Sequence, residues 1–187
     1  MHQVAVIVGS LRRESLNRRF ARALAKLAEN AATPALDLQV IELADLPLYN
    51  EDLWQSPPES VLRLKRDIDA AAAVLFVTPE YNRSIPAVVK NVVDWGSRPR
   101  GKSSWAHKPA AIVGTSPGAI GTAVAQSHLR SVLVACGVRL LGVPEVYFVS
   151  KPGLVTDSFD VSDETSRAFL DDFLAKFASH VERSIAR

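Results

Sequence analysis

Three short stretches of this chain gather residue types that could do chemistry: GSLRRESLN at 9–17, TPEYN at 78–82 and GTSPGAIG at 114–121. The first offers a glycine, then Ser10, Arg12, Ser15 and Asn17, and runs directly into a helical pattern. That set suits a phosphate dianion. Free backbone N–H groups and the helix dipole supply positive potential, and hydroxyls, an amide and a guanidinium add directed donors. A second reading of Ser15 is that it only caps the helix, but capping does not explain Arg12 or Asn17. In the second stretch Pro79 fixes a turn, Asn82 presents an amide and Tyr81 an aromatic flank. By composition alone it reads as a turn.

The third stretch formally matches G-x-S-x-G, the nucleophile elbow of serine hydrolases, with Ser116 in the nucleophile's place and His180 later in the chain. Two features argue against that chemistry. The oxyanion hole needs the backbone N–H of the residue after the nucleophile, and here that residue is Pro117, which has none. His180 also falls within a helical pattern rather than on a loop. Gly118, Ala119 and Gly121 serve either close helix-to-sheet packing or close approach to a ligand. The first stretch contains neither G-x-G-x-x-G nor G-x-x-x-x-G-K-[ST], which disfavours a Rossmann dinucleotide site and triphosphate hydrolysis there. The four histidines form no metal-ligand spacing, so no metal site is expected.

The elements that must position these stretches are legible as apolar runs of strand length, namely VAVIV (4–8), LQVIEL (38–43), AVLFVT (73–78), AAIVG (110–114) and VYFV (146–149). They are nearly continuous rather than alternating, as in a parallel sheet buried on both faces. Helix-length segments lie between them. Leu16, Phe20, Ala23, Leu24, Leu27 and Ala28 mark the buried stripe of the first, and Phe169, Phe173, Phe177, Val181 and Ile185 that of the last. Ser162 with Asp163, and Pro57 with Pro58, are start signals. The expected fold is an α/β three-layer sandwich forming a single domain over 1–187, and right-handed crossovers leave few topologies, among them a flavodoxin-like five-stranded parallel sheet of order 2-1-3-4-5, the fold that the family resemblance described below implies. In that order all three stretches meet at the carboxyl ends of the strands, where open parallel sheets bind ligands. SRPRGKSSWAHKP (97–109) reads as an exposed, mobile loop.

Composition bounds the function. The 187 residues, 48% apolar and 22% charged, are enough for a substantial core. A net charge of +2, from 22 Lys and Arg against 20 Asp and Glu, is too balanced for nucleic-acid or membrane binding as the main role. Arg13, Arg18, Arg19 and Arg22 read mainly as a solvated helix face, Arg12 excepted. Cys136, the one cysteine, lies in an apolar run, so it reads as a small buried residue in a reducing compartment. With no leader pattern and no membrane-length apolar run, a cytoplasmic location is expected.

GSLRRESLN together with TPEYNRSIPAVVKNVVDW resembles the NADPH-dependent FMN reductase family, and within it bacterial quinone and chromate reductases and azoreductases. The likeness extends to SPGAIGTAVAQSHLRSVL and VPEVY. The family resemblance implies bound FMN, held at the phosphate by Ser10, Arg12, Ser15, Leu16 and Asn17. Pro79, Glu80, Tyr81 and Asn82 would then flank the isoalloxazine, and Thr115, Ser116 and Gly118 would border it, although Pro117 and Ala119 interrupt the glycines usual in that loop. It also implies NADPH or NADH as hydride donor in a ping-pong cycle, with quinones, chromate, azo compounds or free flavin as acceptors. The flavin's own chemistry would leave no protein side chain with a catalytic acid–base role. Family members are homodimers or homotetramers, so His128, Arg130 and Glu145 are either intersubunit groups or solvated charges, and Arg83 is left open. Glu80 beside an anionic reduced ring is expected to point away, toward a partner subunit. The alternative class is a non-enzymatic flavodoxin-type electron carrier, though such carriers are strongly acidic and this chain has a pI of about 8.8.

Overall fold

A computed structural model of the chain describes residues 1–32 and 35–186. In chain order the elements are β1 (His2–Val8), α1 (Leu16–Glu29), β2 (Leu36–Val40), a 3-10 turn (Glu51–Gln55), α2 (Glu59–Ala70), β3 (Ala73–Val77), α3 (Ala87–Gly96), β4 (Pro109–Ser116), α4 (Ala123–Ala135), β5 (Arg139–Leu140), β6 (Val146–Val149) and α5 (Glu164–Ile185).

The parallel sheet has the expected order β2-β1-β3-β4-β5, and a sixth strand that the apolar runs do not mark as separate. β5 pairs with Pro109 and Ala110 at the start of β4, and β6 pairs with Val113 through Ser116 at its end. The fifth place in the sheet is therefore filled by two short strands in succession. Pro144 lies between them and has no N–H to give a ladder. β2 also starts and ends earlier than LQVIEL suggests, and Ile41 leaves the strand with its N–H on Val6 O at 3.1 Å.

Alternate side chains of each strand enter two separate cores. Val4, Val6, Val8, Leu75, Val77 and Val113 pack under α1 and α5, while Ala5, Ile7, Val74, Phe76 and Ile112 pack under α2, α3 and α4. Burial on both faces explains the uninterrupted apolar runs. In α1 the stripe at Phe20, Ala23, Leu24 and Ala28 is buried as expected, but Leu16 is exposed. In α5 the stripe is shifted: Leu170, Phe173, Leu174, Phe177, Ala178 and Val181 are buried, whereas Phe169 and Ile185 are exposed. Asp163 caps α5 by accepting the Ser166 N–H at 2.7 Å.

The 97–109 segment is not an exposed loop throughout. Trp105 is fully buried beside Phe76 and donates its indole N–H to Val93 O at 2.9 Å. Lys65 Nζ ties the same segment down through Lys102 O and Ser104 Oγ, both at 2.9 Å, and burial holds this ammonium below the usual lysine range. The arginine face is likewise only partly solvated. Arg19 donates to Val155 O and to Asp157, and Arg22 lies over the Phe159 ring. Cys136 is half-buried at the end of α4, and its partial burial pushes the thiol up.

Candidate functional site

The order of strands reverses between β1 and β3, since β1 is followed outward by β2 and β3 by β4. Loops leaving the carboxyl ends of β1, β3 and β4 therefore border one crevice. They are pressed together by two glycines. A Cβ on Gly9 would meet Val89 Cγ2 at 2.7 Å and Pro79 Cδ at 3.0 Å, and a Cβ on Gly114 would overlap Thr122 Oγ1 and the Thr78 carbonyl. Neither glycine has a positive φ, so close approach alone explains them.

The first loop is built around the start of α1. Ser15 is the N-cap and its Oγ accepts the Arg18 N–H at 3.2 Å. Capping is thus real, and it leaves the hydroxyl hydrogen free for a second partner. The N–H groups of Leu16 and Asn17 stand in the first helical turn, where no intrahelical acceptor exists. Ser10 and Ser15 are buried and Arg12 is exposed, while neighbouring Arg13 lies 3.5 Å from Glu14.

Asn17 is differently employed from the other members of its loop. It is 3% exposed, donates from Nδ2 to Thr115 O at 2.9 Å and accepts the Thr115 N–H on Oδ1 at 3.0 Å. This two-point clamp joins residues 98 apart in sequence and fixes the end of β4 against the first turn of α1. Both of the clamp's sites on the amide are spent, which leaves one Nδ2 hydrogen for an anion.

The second loop ends in a two-residue hairpin. Tyr81 and Ser84 exchange N–H···O bonds at 3.0 Å, and Asn82 and Arg83 between them have φ of 50° and 63°. Two positive φ values define a type I′ turn, which suits asparagine at its first position but strains arginine at its second. Tyr81, half exposed, reaches back so that its hydroxyl stands 3.5 Å from Ser10 Oγ. Pro79 is buried, and its carbonyl accepts the Thr78 hydroxyl at 2.8 Å.

Glu80 does point away from the crevice, but toward its own chain rather than a partner. Its Oε2 accepts the N–H groups of Val124 and Ala125 at 3.0 and 3.1 Å, the first turn of α4, and Oε1 lies 3.3 Å from Arg83. A carboxylate on free amides at a helix N-terminus is favourable through both the hydrogen bonds and the dipole. α4 depends on it because Thr122, the residue in the N-cap position, makes no side-chain cap bond and instead accepts from Gln126 Nε2 at 2.9 Å. A cap borrowed from 44 residues upstream leaves no local sequence signature.

In the third loop Ser116 is engaged structurally. Its hydroxyl donates to Gly121 O at 2.7 Å, and its oxygen accepts the Gly118 N–H at 3.2 Å. The hydrolase alternative fails on geometry as well as on Pro117. His180 bonds Arg139 O, and Arg139 pairs with Pro109, the opposite end of β4 from Ser116. Seven residues of strand separate them by roughly 23 Å. Thr115 presents a buried Oγ1 that has no partner among the described residues. Each of the three loops also carries one large apolar side chain about half exposed, at Leu11, Tyr81 and Ile120. Among the described residues, no group of His, Cys, Asp and Glu is placed to hold a metal, and no helix is long and apolar enough to cross a membrane.

Residues 2–153 match the sequence model of the NADPH-dependent FMN reductases, which spans all three loops. The chain belongs to the NADPH-dependent FMN reductase family. It is 48% identical over 183 residues, 97% of this chain and 96% of that protein, to a quinone reductase of Pseudomonas putida. It is 44% identical over 179 residues, 96% of each chain, to a 2-hydroxy-1,4-benzoquinone reductase of Burkholderia. Among solved structures, FerB, a flavoenzyme NAD(P)H:(acceptor) oxidoreductase from Paracoccus denitrificans, superposes with a TM-score of 0.94 at 44% identity, covering 98% of this chain and 99% of that one.

For an FMN reductase the donor set fits the cofactor. Two uncommitted helix N–H groups, two buried hydroxyls and an exposed guanidinium suit a phosphate dianion. The orphaned Thr115 Oγ1 is a buried polar group awaiting a partner. Turning Glu80 into α4 removes the one carboxylate of TPEYN from the path of an anionic ring.

Proposed function

We propose that the chain, as one domain over residues 1–187, binds FMN across these three loops and transfers electron pairs from NADPH or NADH to quinones. The observation that carries this reading is the convergence of the three loops, the phosphate loop being tied to the third loop by the Asn17–Thr115 clamp and to the ring loop by the Tyr81–Ser10 contact. Bound FMN would supply the redox chemistry, accepting a hydride from the nicotinamide and delivering two electrons to the acceptor.

The chain's own residues do the rest. Ser10, Arg12, Ser15 and the N–H groups of Leu16 and Asn17 would hold the phosphate at the positive end of α1. Pro79, Tyr81 and Asn82 would flank the ring, with backbone N–H groups and the Asn82 amide as preorganised donors for negative charge at its pyrimidine edge. Thr115, Ser116 and Gly118 would border it from the third loop. Leu11, Tyr81 and Ile120 make an apolar rim suited to a flat acceptor.

Chromate, azo compounds and free flavin belong to the same proposal as further acceptors, since each would accept electrons at the same exposed ring. So do a cytoplasmic location and assembly into a homodimer or homotetramer. Within one chain Arg130 already pairs with Glu145 at 3.4 Å and His128 with Ser84 at 3.1 Å, so subunit contacts there would have to share groups already engaged.

The test is steady-state NADPH and NADH oxidation by FMN-loaded protein at varied benzoquinone. The expected result is sustained turnover with parallel double-reciprocal lines. A single stoichiometric reduction without turnover would make the protein an electron carrier instead.

A further inference from the structure

The ring loop contains a backbone conformation that its sequence does not favour. Asn82 at φ 50° is a common occupant of a type I′ turn, but Arg83 at φ 63° carries a Cβ into the left-handed region where glycine is normally found. Such strain persists only where the surroundings over-determine it. Two contacts, both to α4, do so. On the strand side of the turn Glu80 accepts the Val124 and Ala125 N–H groups at 3.0 and 3.1 Å, and at its far end Ser84 Oγ lies 3.1 Å from His128 Nδ1. Residues 80 and 84 bracket the strained pair, and residues 124 and 128 are one helical turn apart on α4. The hairpin is thus braced at both ends against one rigid element.

We propose that Glu80 is a positioning residue: by anchoring the strained 81–84 turn to the N-terminus of α4, its carboxylate fixes where Tyr81 and Asn82 stand at the crevice. This rests on the flavin reading, because its functional consequence is the placement of groups that flank FMN. Glu80 touches no reacting atom. Its Oε1 contact to Arg83, whose side chain is 66% exposed, is an accessory that solvent weakens. The anchoring is carried by the two amide bonds, in a side chain only 10% exposed.

The brace makes a prediction that a general loss of stability does not. If Glu80 works by holding Arg83 at positive φ, then glycine at 83, which adopts that conformation unaided, makes the brace dispensable. The experiment compares wild type, E80A, E80Q, R83G and E80A/R83G. The readouts are hydrogen exchange of the Val124 and Ala125 amides without FMN, and FMN affinity from quenching of flavin fluorescence. E80A should release both amides from protection and weaken FMN about tenfold, the scale of one strained residue. E80Q, which keeps one acceptor oxygen, should fall between E80A and wild type. R83G should bind FMN as wild type does. E80A/R83G should recover wild-type affinity to within about threefold while its α4 amides stay unprotected.

Wild-type affinity in E80A, or E80A/R83G as weak as E80A, would overturn the proposal. Should E80A fail to fold, the E80Q and E80Q/R83G pair gives the same comparison. Failure of wild type to bind FMN would instead refute the flavin reading, while the hydrogen-exchange result would still report on the brace.

Discussion

The phosphate loop and the ring loop sit side by side at the same sheet edge, yet they are held in opposite ways. In residues 10–17 the phosphate donors follow from the helix that the loop opens: Ser15 caps α1 and orphan N–H groups follow, while the Asn17–Thr115 clamp fixes where that helix start stands. Residues 79–84 form against local preference, with Arg83 at positive φ and Glu80 spent on a helix that starts more than forty residues later. The donors of one loop are encoded locally, whereas the backbone of the other is held by tertiary contact. The physical lesson is that an anion site can be made from secondary structure itself, whereas a slot for a flat ring needs backbone held from outside.

Four substitutions sharpen this contrast. The largest effect should come from Gly114→Ala, whose Cβ would overlap Thr122 Oγ1 and the Thr78 carbonyl and so push the third loop away from the start of the ring loop. A loss of about 3 kcal/mol is expected, seen as a fall in the apoprotein's Tm together with loss of FMN binding. An unchanged Tm would mean that the loops are not packed as described.

Asn17→Ala removes two hydrogen bonds and leaves the Thr115 N–H and C=O unpaired in a buried place. It should cost about 2–3 kcal/mol in urea unfolding of the apoprotein and weaken FMN as well. Loss of affinity with unaltered stability would make Asn17 a simple ligand rather than a clamp.

Arg12→Ala is the counterpart on an exposed side chain. Apoprotein stability should stay within about 0.5 kcal/mol, while FMN affinity falls by about 1.5–3 kcal/mol. Ser116→Ala should be the mildest, about 1 kcal/mol from the lost Gly121 bond, with quinone reduction retained. Labelling of Ser116 by a phosphonate probe would revive the hydrolase chemistry.

How much was legible in the sequence follows the same division. The strands, the layers and the phosphate loop rest on signals confined to a few consecutive residues, such as continuous apolar runs and a serine before a helical stripe, whereas the strand order rests on the family resemblance. Most of what escaped was long-range or a matter of length. The Asn17–Thr115 clamp, the Glu80 cap and the burial of Trp105 depend on residues brought together by the sheet. The exposure of Phe169 and Ile185 depends on which face of α5 its neighbours cover, which periodicity along one helix does not reveal. The split fifth strand had a local clue in Pro144, but at two residues β5 is too short for a hydrophobic pattern to mark.

The central claim is that the convergence of these loops is an FMN site anchored at its phosphate by Arg12 and the start of α1. Equilibrium titration of apoprotein with FMN and with riboflavin, for wild type and Arg12→Ala, tests it most directly. The account predicts one saturable FMN site in wild type, much weaker riboflavin binding, and an Arg12→Ala defect of about 10- to 100-fold for FMN that vanishes for riboflavin. Equal affinity for FMN and riboflavin in wild type, or an Arg12→Ala protein that binds both as wild type does, would contradict it.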